Sequence, residues 1–272
     1  MKHLTSTAEI LASMGEAGQR LDRIGACEAS AGNISVSIRE TPTDLADFFP
    51  EESKIELPVS VPGLAGFTFF VTGTGSRLRD VAAAPTANVS AIILEPDGKT
   101  GRWFTAADRT FPTPTSEFNS HLGVHEDQVV RRGVDFQTVI HCQPPYLVTL
   151  SHIPALRNQR AFNQAIFRWE PETVVMVPKG IKVLDFMIPG GAELGENNVE
   201  SLRDFEVVLW SKHGVMVRSD IAPLKAVDKV EYIETGAMYE YRDIAIGGRG
   251  EGLTESQSKA VVAAFGVETD LY

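Results

Sequence analysis

Cysteine is scarce in this chain: Cys27 and Cys142 are the only 2 in 272 residues. Such a pair supplies no disulfide framework, and a reducing cytoplasm is the expected setting. Long apolar runs are missing too. No stretch approaches the ~20 residues of a membrane-spanning helix, so no membrane partner is expected. Met1-Lys2-His3-Leu4-Thr5 runs into an amphipathic pattern without the apolar core of a signal peptide. Basic residues are outnumbered, with 25 Lys and Arg against 36 Asp and Glu and a formal charge of −11. That argues against a nucleic-acid partner, which would want a basic face. It does not exclude an anionic metabolite, because local dipoles can outweigh global charge. There is no repeat, no low-complexity tract, no G-x-G-x-x-G loop and no P-loop. Thr72–Ser76 has too few glycines, and no helix of the right kind follows it.

What is present reads as one α/β domain over residues 1–272, long for a single core but within range. Its 43% apolar and 22% charged residues are ordinary for a globular protein. Ile10, Leu11, Met14, Ala17, Leu21 and Ile24 recur at helical spacing and predict a helix from Thr7 to about Gly25. Ile34, Val36 and Ile38 alternate with Ser35 and Ser37, the pattern of a half-buried strand. Residues 41–58 carry proline, acids and phenylalanines without clear period and read as an excursion loop. Short strands are expected at 67–71 and 138–141, and 89–94 with 102–104 flank Pro96-Asp97-Gly98 as a hairpin. Thr115 or Ser116 can cap a helix running to about Arg131, and Pro144-Pro145 opens another through Leu150. Thr173–Val177 and Ile181–Leu184 read as a second hairpin about Pro178-Lys179-Gly180. Residues 192–204 look helical, 207–210 and 215–217 are strands on either side of His213, and Leu224 to Ile244 marks a long helix. Thr254-Glu255-Ser256-Gln257 is a capping box for a last one. Hairpin-linked strands between helices favour a mostly antiparallel central sheet covered by helices over a doubly wound parallel sheet.

Several small constellations carry chemistry. His141 and Gln143 are two apart at a strand end, so they point the same way while Cys142 points oppositely. His213 precedes Gly214 between two strands. Two imidazoles plus a carboxylate suit zinc or a similar first-row ion. Taken separately, His141 and His213 also fit partly buried histidines with backbone partners. Glu117 follows Thr115 and Ser116, whose hydroxyls and nearby N–H groups suit a phosphate, although a plain capped helix start explains them equally well. Ser30-Ala31-Gly32-Asn33 and Thr72-Gly73-Thr74-Gly75 are each compatible with ordinary turns. Together they offer hydroxyl, amide and N–H donors without a lysine. His121 and His125 share one helix face with Glu117, but the zinc-protease pattern is absent, so they read as helix-packing or interface histidines. Glu170 and Glu172 lie near an expected strand start, and Cys27 and Cys142 read as small buried residues.

Taken together, Ala31-Gly32-Asn33, Val71-Thr72-Gly73-Thr74-Gly75, Pro114-Thr115-Ser116-Glu117, Val139-Ile140-His141-Cys142, Val207-Val208-Leu209-Trp210 and His213-Gly214-Val215 resemble the class II aldolase/adducin family. The resemblance runs from the first helix to about Gly248. The chain's length and its 41–58 excursion favour the rhamnulose type over the shorter fuculose type. The resemblance implies an α/β sandwich and a cytoplasmic homotetramer with active sites between adjacent subunits. It implies a lyase that reversibly cleaves a ketose 1-phosphate, L-rhamnulose 1-phosphate or a close relative, with a place in rhamnose metabolism. The products would be dihydroxyacetone phosphate and a short aldehyde. Asn33, Thr74, Gly75, Thr115 and Ser116 would hold the phosphate, with Ser30 a further candidate. Glu117 would move the proton at carbon, and Glu172 or the nearby Glu170 would be a second acid–base group. His141 and His213 would hold Zn2+ or another divalent ion, with Gln143 as the third ligand position. The family pattern is His-x-His, whereas this chain reads His141-Cys142-Gln143, so weakened metal affinity is expected. Ser30 also stands where the rhamnulose type has an asparagine. The alternatives on the same scaffold are a sugar-phosphate epimerase or decarboxylase, and a non-catalytic assembly module of the adducin kind.

Overall fold

A computed structural model describes residues 4–272; the N-terminal reading at Met1, Lys2 and His3 lies outside the described residues. The strands are β1 (Asn33–Ile38), β2 (Glu51–Glu56), β3 (Thr68–Thr72), β4 (Val89–Leu94), β5 (Thr100–Thr105), β6 (Phe136–Cys142), β7 (Ile181–Leu184), β8 (Val207–Trp210) and β9 (Gly214–Ser219). They form one sheet in the order β2-β5-β4-β3-β1-β6-β9-β8-β7. Every neighbouring pair is antiparallel except β7 and β8, which run parallel. The helices are α1 (Thr7–Arg23), α2 (Leu45–Phe48), α3 (Pro85–Asn88), α4 (Phe118–Arg132), α5 (Pro145–Ser151), α6 (Gln159–Phe167), α7 (Pro171–Met176), α8 (Ala192–Ser201), α9 (Pro223–Ala245) and α10 (Glu255–Phe265).

Helices cover both faces of the sheet, as the mostly antiparallel reading expects. On one face α1, α5, α6 and α9 close over Ile34, Val36, Ile140, Cys142, Leu209 and Val217 in the largest apolar cluster. On the other, α4 and α8 close over Val139, Val208, Trp210 and Met216, and the α4 residues Phe118, Leu122 and Val129 pack with Phe69 and Val71. Burial of this kind contributes roughly 25 cal/mol per Å² of apolar surface. The first and last helices start as their residues dictate. Ser6 with Glu9, and Thr254 with Gln257, form capping boxes.

Four local readings change. β1 is buried along its whole length, because α4 covers the serine face that alternation assigned to solvent. The 41–58 excursion contains α2 and the edge strand β2, whose exposed Glu51, Glu52 and Glu56 keep the sheet edge charged. Residues 173–177 belong to helix α7 and its C-terminal cap, not to a hairpin strand. Pro171 at the first helical position and Glu172 in the first turn favour a helix start, and β7 pairs with β8 instead. Helix α4 starts one or two residues later than the expected cap at Thr115 or Ser116, with Glu117 at the N-cap position. No side chain caps it, and Thr115 Oγ1 accepts only a long 3.4 Å bond from the Glu117 N–H.

Candidate active site

Antiparallel pairing brings distant segments to one end of the sheet. β1 begins at Asn33 opposite His141, near the C-terminal end of β6, and Cys142 in turn faces Val215 at the start of β9. β3 ends beside them, where Thr72 Oγ1 accepts the Ile34 N–H at 3.1 Å. Thr115 N–H donates to Thr72 O at 3.0 Å, and Thr74 N–H to Thr113 O at 2.9 Å, so the 72–75 and 113–116 segments lie side by side. Gly73 is required here, because a Cβ would lie 1.9 Å from the Phe111 ring.

His141 is held by a carbonyl and by a stacked ring. Its Nδ1 donates to Val215 O at 2.9 Å, which leaves the Nε2 lone pair free. Its ring stacks on Trp210 with centroids 4.4 Å apart, and Trp210 Nε1 donates to Asn198 Oδ1 at 2.6 Å. His213 sits in the tight turn between β8 and β9. Lys212 before it takes the left-handed conformation, φ 66°, and its N–H donates to Ser151 Oγ at 2.7 Å. Gly214 after it admits no side chain, since a Cβ would lie 2.5 Å from Cys142 O.

Glu117 faces both rings. Its Oε2 lies 3.7 Å from His141 Nε2, and its Oε1 lies 4.0 Å from His213 Nε2. Asn33 Nδ2 donates to the same Oε2 at 3.0 Å. Burial alone would raise this carboxyl. The surrounding imidazoles, His141 foremost, and the Asn33 amide outweigh burial and hold it below the usual carboxylate range. Burial and then His141 push His213 down to about 4, against the pull of Glu117.

Donor atoms of Glu117, His141 and His213, two buried residues and one half-buried, lie within 4.8 Å of one another, so this trio could hold one ion. Two tetrahedral zinc donors with ~2 Å bonds lie roughly 3.3 Å apart, so gathering these atoms needs the widest pair to close by no more than about 1.5 Å. His213 Nδ1 is buried without a partner, whereas His141 Nδ1 is fixed by a carbonyl. The donor types and the free Nε2 of His141 therefore fit a divalent metal. Gln143 sits at the edge of this group, with its amide turned so that the NH2 donates to the Glu28 carboxylate. Only the amide oxygen is left for another partner.

The remaining expected residues divide into two sets. Ser30, Thr74, Gly75, Thr115 and Ser116 lie in the loops that meet at this end of the sheet, with Ser30, Gly75 and Ser116 exposed. Asn33 lies there too, but its side chain is engaged by Glu117 and His121, leaving one amide hydrogen over. Glu170 and Glu172 are elsewhere. They start α7, whose Val174 packs in the apolar layer on the opposite face of the sheet from Trp210. Burial and then Glu172 raise the Glu170 carboxyl, which lines a hollow with Arg20 and Lys225. Neither glutamate joins the trio within one chain. Trp210, which ends the Val207–Trp210 piece of the resemblance, buttresses the site with Asn198, Lys212 and Glu28, and these last three carry no motif of their own. A Trp before a His-Gly turn was the one available signal.

A helix-covered sheet that buries one carboxylate against two imidazoles at its strand ends is the layout of a class II aldolase. The family model described as Class II Aldolase and Adducin N-terminal domain matches residues 12–241, and the chain belongs to that family. It is 29% identical over 242 residues to the rhamnulose-1-phosphate aldolase of Bacteroides thetaiotaomicron, covering 89% of this chain and 88% of that one. The rhamnulose-1-phosphate aldolase of Yersinia pestis is 27% identical, covering 88% of this chain and 87% of its own length. Among solved structures, the sugar-phosphate aldolase from Thermotoga maritima superposes with a TM-score of 0.74 at 27% identity, over 90% of this chain and 98% of that one. The chain is an aldolase-type lyase.

Proposed function

We propose that this protein is a metal-dependent aldolase that reversibly cleaves L-rhamnulose 1-phosphate, or a closely related ketose 1-phosphate, to dihydroxyacetone phosphate and a short aldehyde such as L-lactaldehyde. The observation that carries this is the buried Glu117 carboxylate facing the free ring nitrogens of His141 and His213. The relatives named for rhamnulose 1-phosphate support the choice of substrate.

His141 and His213 would hold the ion, zinc or another divalent metal, with the Gln143 amide oxygen as a weaker third donor. When bound, the ion supplies Lewis-acid polarisation of the substrate's oxygens. Asn33 at the start of β1 and the loops bearing Ser30, Thr74, Gly75, Thr115 and Ser116 would orient the phosphate through hydroxyl, amide and backbone N–H donors. Glu117, held anionic by its neighbours, would take and return the proton at the carbon next to the carbonyl. Burial of Glu117 and His141 keeps bulk water from competing for that proton. Glu172, or Glu170, would act as a second acid–base group only across a subunit boundary. That fits the proposed homotetramer with shared sites in a cytoplasmic setting.

The test is cleavage of L-rhamnulose 1-phosphate by metal-loaded protein, with dihydroxyacetone phosphate detected by a coupled reduction. Product formation that depends on the phosphate group is expected. No cleavage across a panel of ketose 1-phosphates would overturn the reading.

A further inference from the structure

Behind Glu117 and Asn33 lie four buried polar side chains, those of Ser35, Ser37, His121 and His125, that the proposed chemistry leaves unused. Ser37 Oγ is 2.8 Å from His125 Nδ1, and His125 Nε2 is 2.8 Å from Ser35 Oγ. Ser35 Oγ is 2.6 Å from His121 Nδ1, and His121 Nε2 meets Asn33 Oδ1. Asn33 Nδ2 completes the row at Glu117 Oε2, 3.0 Å away. Ser35, Ser37, His121 and His125 are all at 0% exposure.

Counting hydrogens gives the row a direction. Asn33 presents its NH2 to Glu117 and its carbonyl oxygen, which can only accept, to His121. His121 Nε2 must then carry the hydrogen. Burial pushes His121 down to about 3 and His125 well below the usual imidazole range, so both rings are neutral near pH 7. A neutral His121 leaves Nδ1 as an acceptor for the Ser35 hydroxyl. Ser35 has one hydrogen, so it accepts from His125 Nε2–H. His125 Nδ1 in turn accepts from Ser37. Every donor in the row therefore points toward Glu117.

We propose that Ser37, His125, Ser35 and His121 are positioning residues, a one-way hydrogen-bond chain that holds the Asn33 amide in the one orientation that donates to Glu117. The proposal rests on the reading of Glu117 as the acid–base group. An amide has two orientations of almost the same shape, and packing alone does not choose between them. The Nε2–H of His121 does, because the flipped amide would set NH2 against N–H and oxygen against carboxylate. Aliphatic residues at 121 and 125 would pack on β1 without the desolvation that buried polar groups incur. A fully satisfied row of this kind instead fixes one arrangement, each bond polarising the next.

The first measurement is 15N NMR of histidine-labelled protein at neutral pH, which reads tautomers without any activity. His121 and His125 are expected to be neutral and protonated at Nε2. An Nδ1–H tautomer or a cationic ring at either position would overturn the chain. The second is a double-mutant cycle. Ser35→Ala cuts the row at its centre and is expected to lower kcat about 10-fold with KM changed less than about twofold, the order found for buried outer partners of a reacting centre. Ser35→Thr keeps the hydroxyl and is expected to restore most of the rate. In a Glu117→Gln background, Ser35→Ala is expected to change the residual rate less than about twofold. An undiminished loss there would make Ser35 a packing residue and overturn the proposal. If Ser35→Ala does not fold, Ser37→Ala removes the terminal donor, and His125 is expected to show mixed tautomers. An unchanged His125 would overturn the chain. A wild-type cleavage rate in Glu117→Gln alone would overturn the function reading and the chain's role with it. Wrong tautomers beside an inactive Glu117→Gln would overturn the chain alone.

Discussion

On one face of β1, Ile34, Val36 and Ile38 enter an apolar layer under α1 and α9. On the other, Asn33, Ser35 and Ser37 meet His121, His125 and Glu117 under the start of α4. Both faces are buried, yet they differ in what burial does. The apolar face contributes free energy through area and close packing, and shape is its main requirement. The polar face gains little net energy from its hydrogen bonds, because each replaces one with water. What it gains is definition, in the form of fixed tautomers, a fixed amide and a fixed carboxylate. The candidate chemistry sits at the end of the polar face, where definition matters more than stability.

The sharpest contrast comes from paired substitutions on the two faces. Glu117→Gln keeps the shape and removes the base, so cleavage is expected to fall about 10²–10⁴-fold while the fold holds. Coupled detection of dihydroxyacetone phosphate reads the first quantity and thermal unfolding the second. Equal rates would take Glu117 out of the mechanism. Ile34→Ala, one residue along from Asn33 but on the apolar side, should do the reverse. It empties a fully buried position and is expected to lower unfolding free energy by roughly 2–5 kcal/mol in urea. Turnover of the folded fraction should stay near that of wild type, and a rate loss as large as that of Glu117→Gln would erase the contrast.

Glu234 sharpens the comparison because it is a carboxyl on the apolar side. It accepts the N–H groups of Tyr146 and Leu147 at 2.7 and 3.0 Å, at the start of α5. Burial outweighs those bonds and pushes it up to about 7 from 4.5. With the folded value above the unfolded one, the stability linked to Glu234 is fully present below about pH 4.5. It is lost as pH rises through about 7. Glu234→Gln is expected to remove that slope, on the order of 3 kcal/mol between the two limits. Urea unfolding at pH 5 and pH 8 reads it, and the same slope in both proteins would show that Glu234 does not titrate in this range.

The two faces were not equally legible. Ile34, Val36 and Ile38 announce an apolar side by alternation. Alternation cannot tell a serine facing water from a serine facing histidine, so β1 read as half-buried. Glu117, His141 and His213 stood out through their neighbours in sequence, and antiparallel pairing does bring them together. The row from Ser37 to Asn33 was hidden because its members alternate between a strand and a helix about 90 residues apart, which only the tertiary fold interleaves. Residues 173–177 misled for a different reason. Their β-branched run suggests a strand, but Pro171 and the packing of Val174 against the apolar layer favour a helix turn. The edge strand β2 has too many acids to show a period, since its side chains are nearly all exposed.

The central claim is that Glu117, His141 and His213 form one reacting centre around a divalent ion. Its most direct test is the zinc content of protein purified without chelator, measured by elemental analysis for wild type, His213→Ala and Gln143→His. The account predicts up to one ion per chain in wild type, higher occupancy at limiting metal in Gln143→His, and almost none in a folded His213→Ala. Near-zero zinc in both wild type and Gln143→His, or undiminished zinc in His213→Ala, would contradict it.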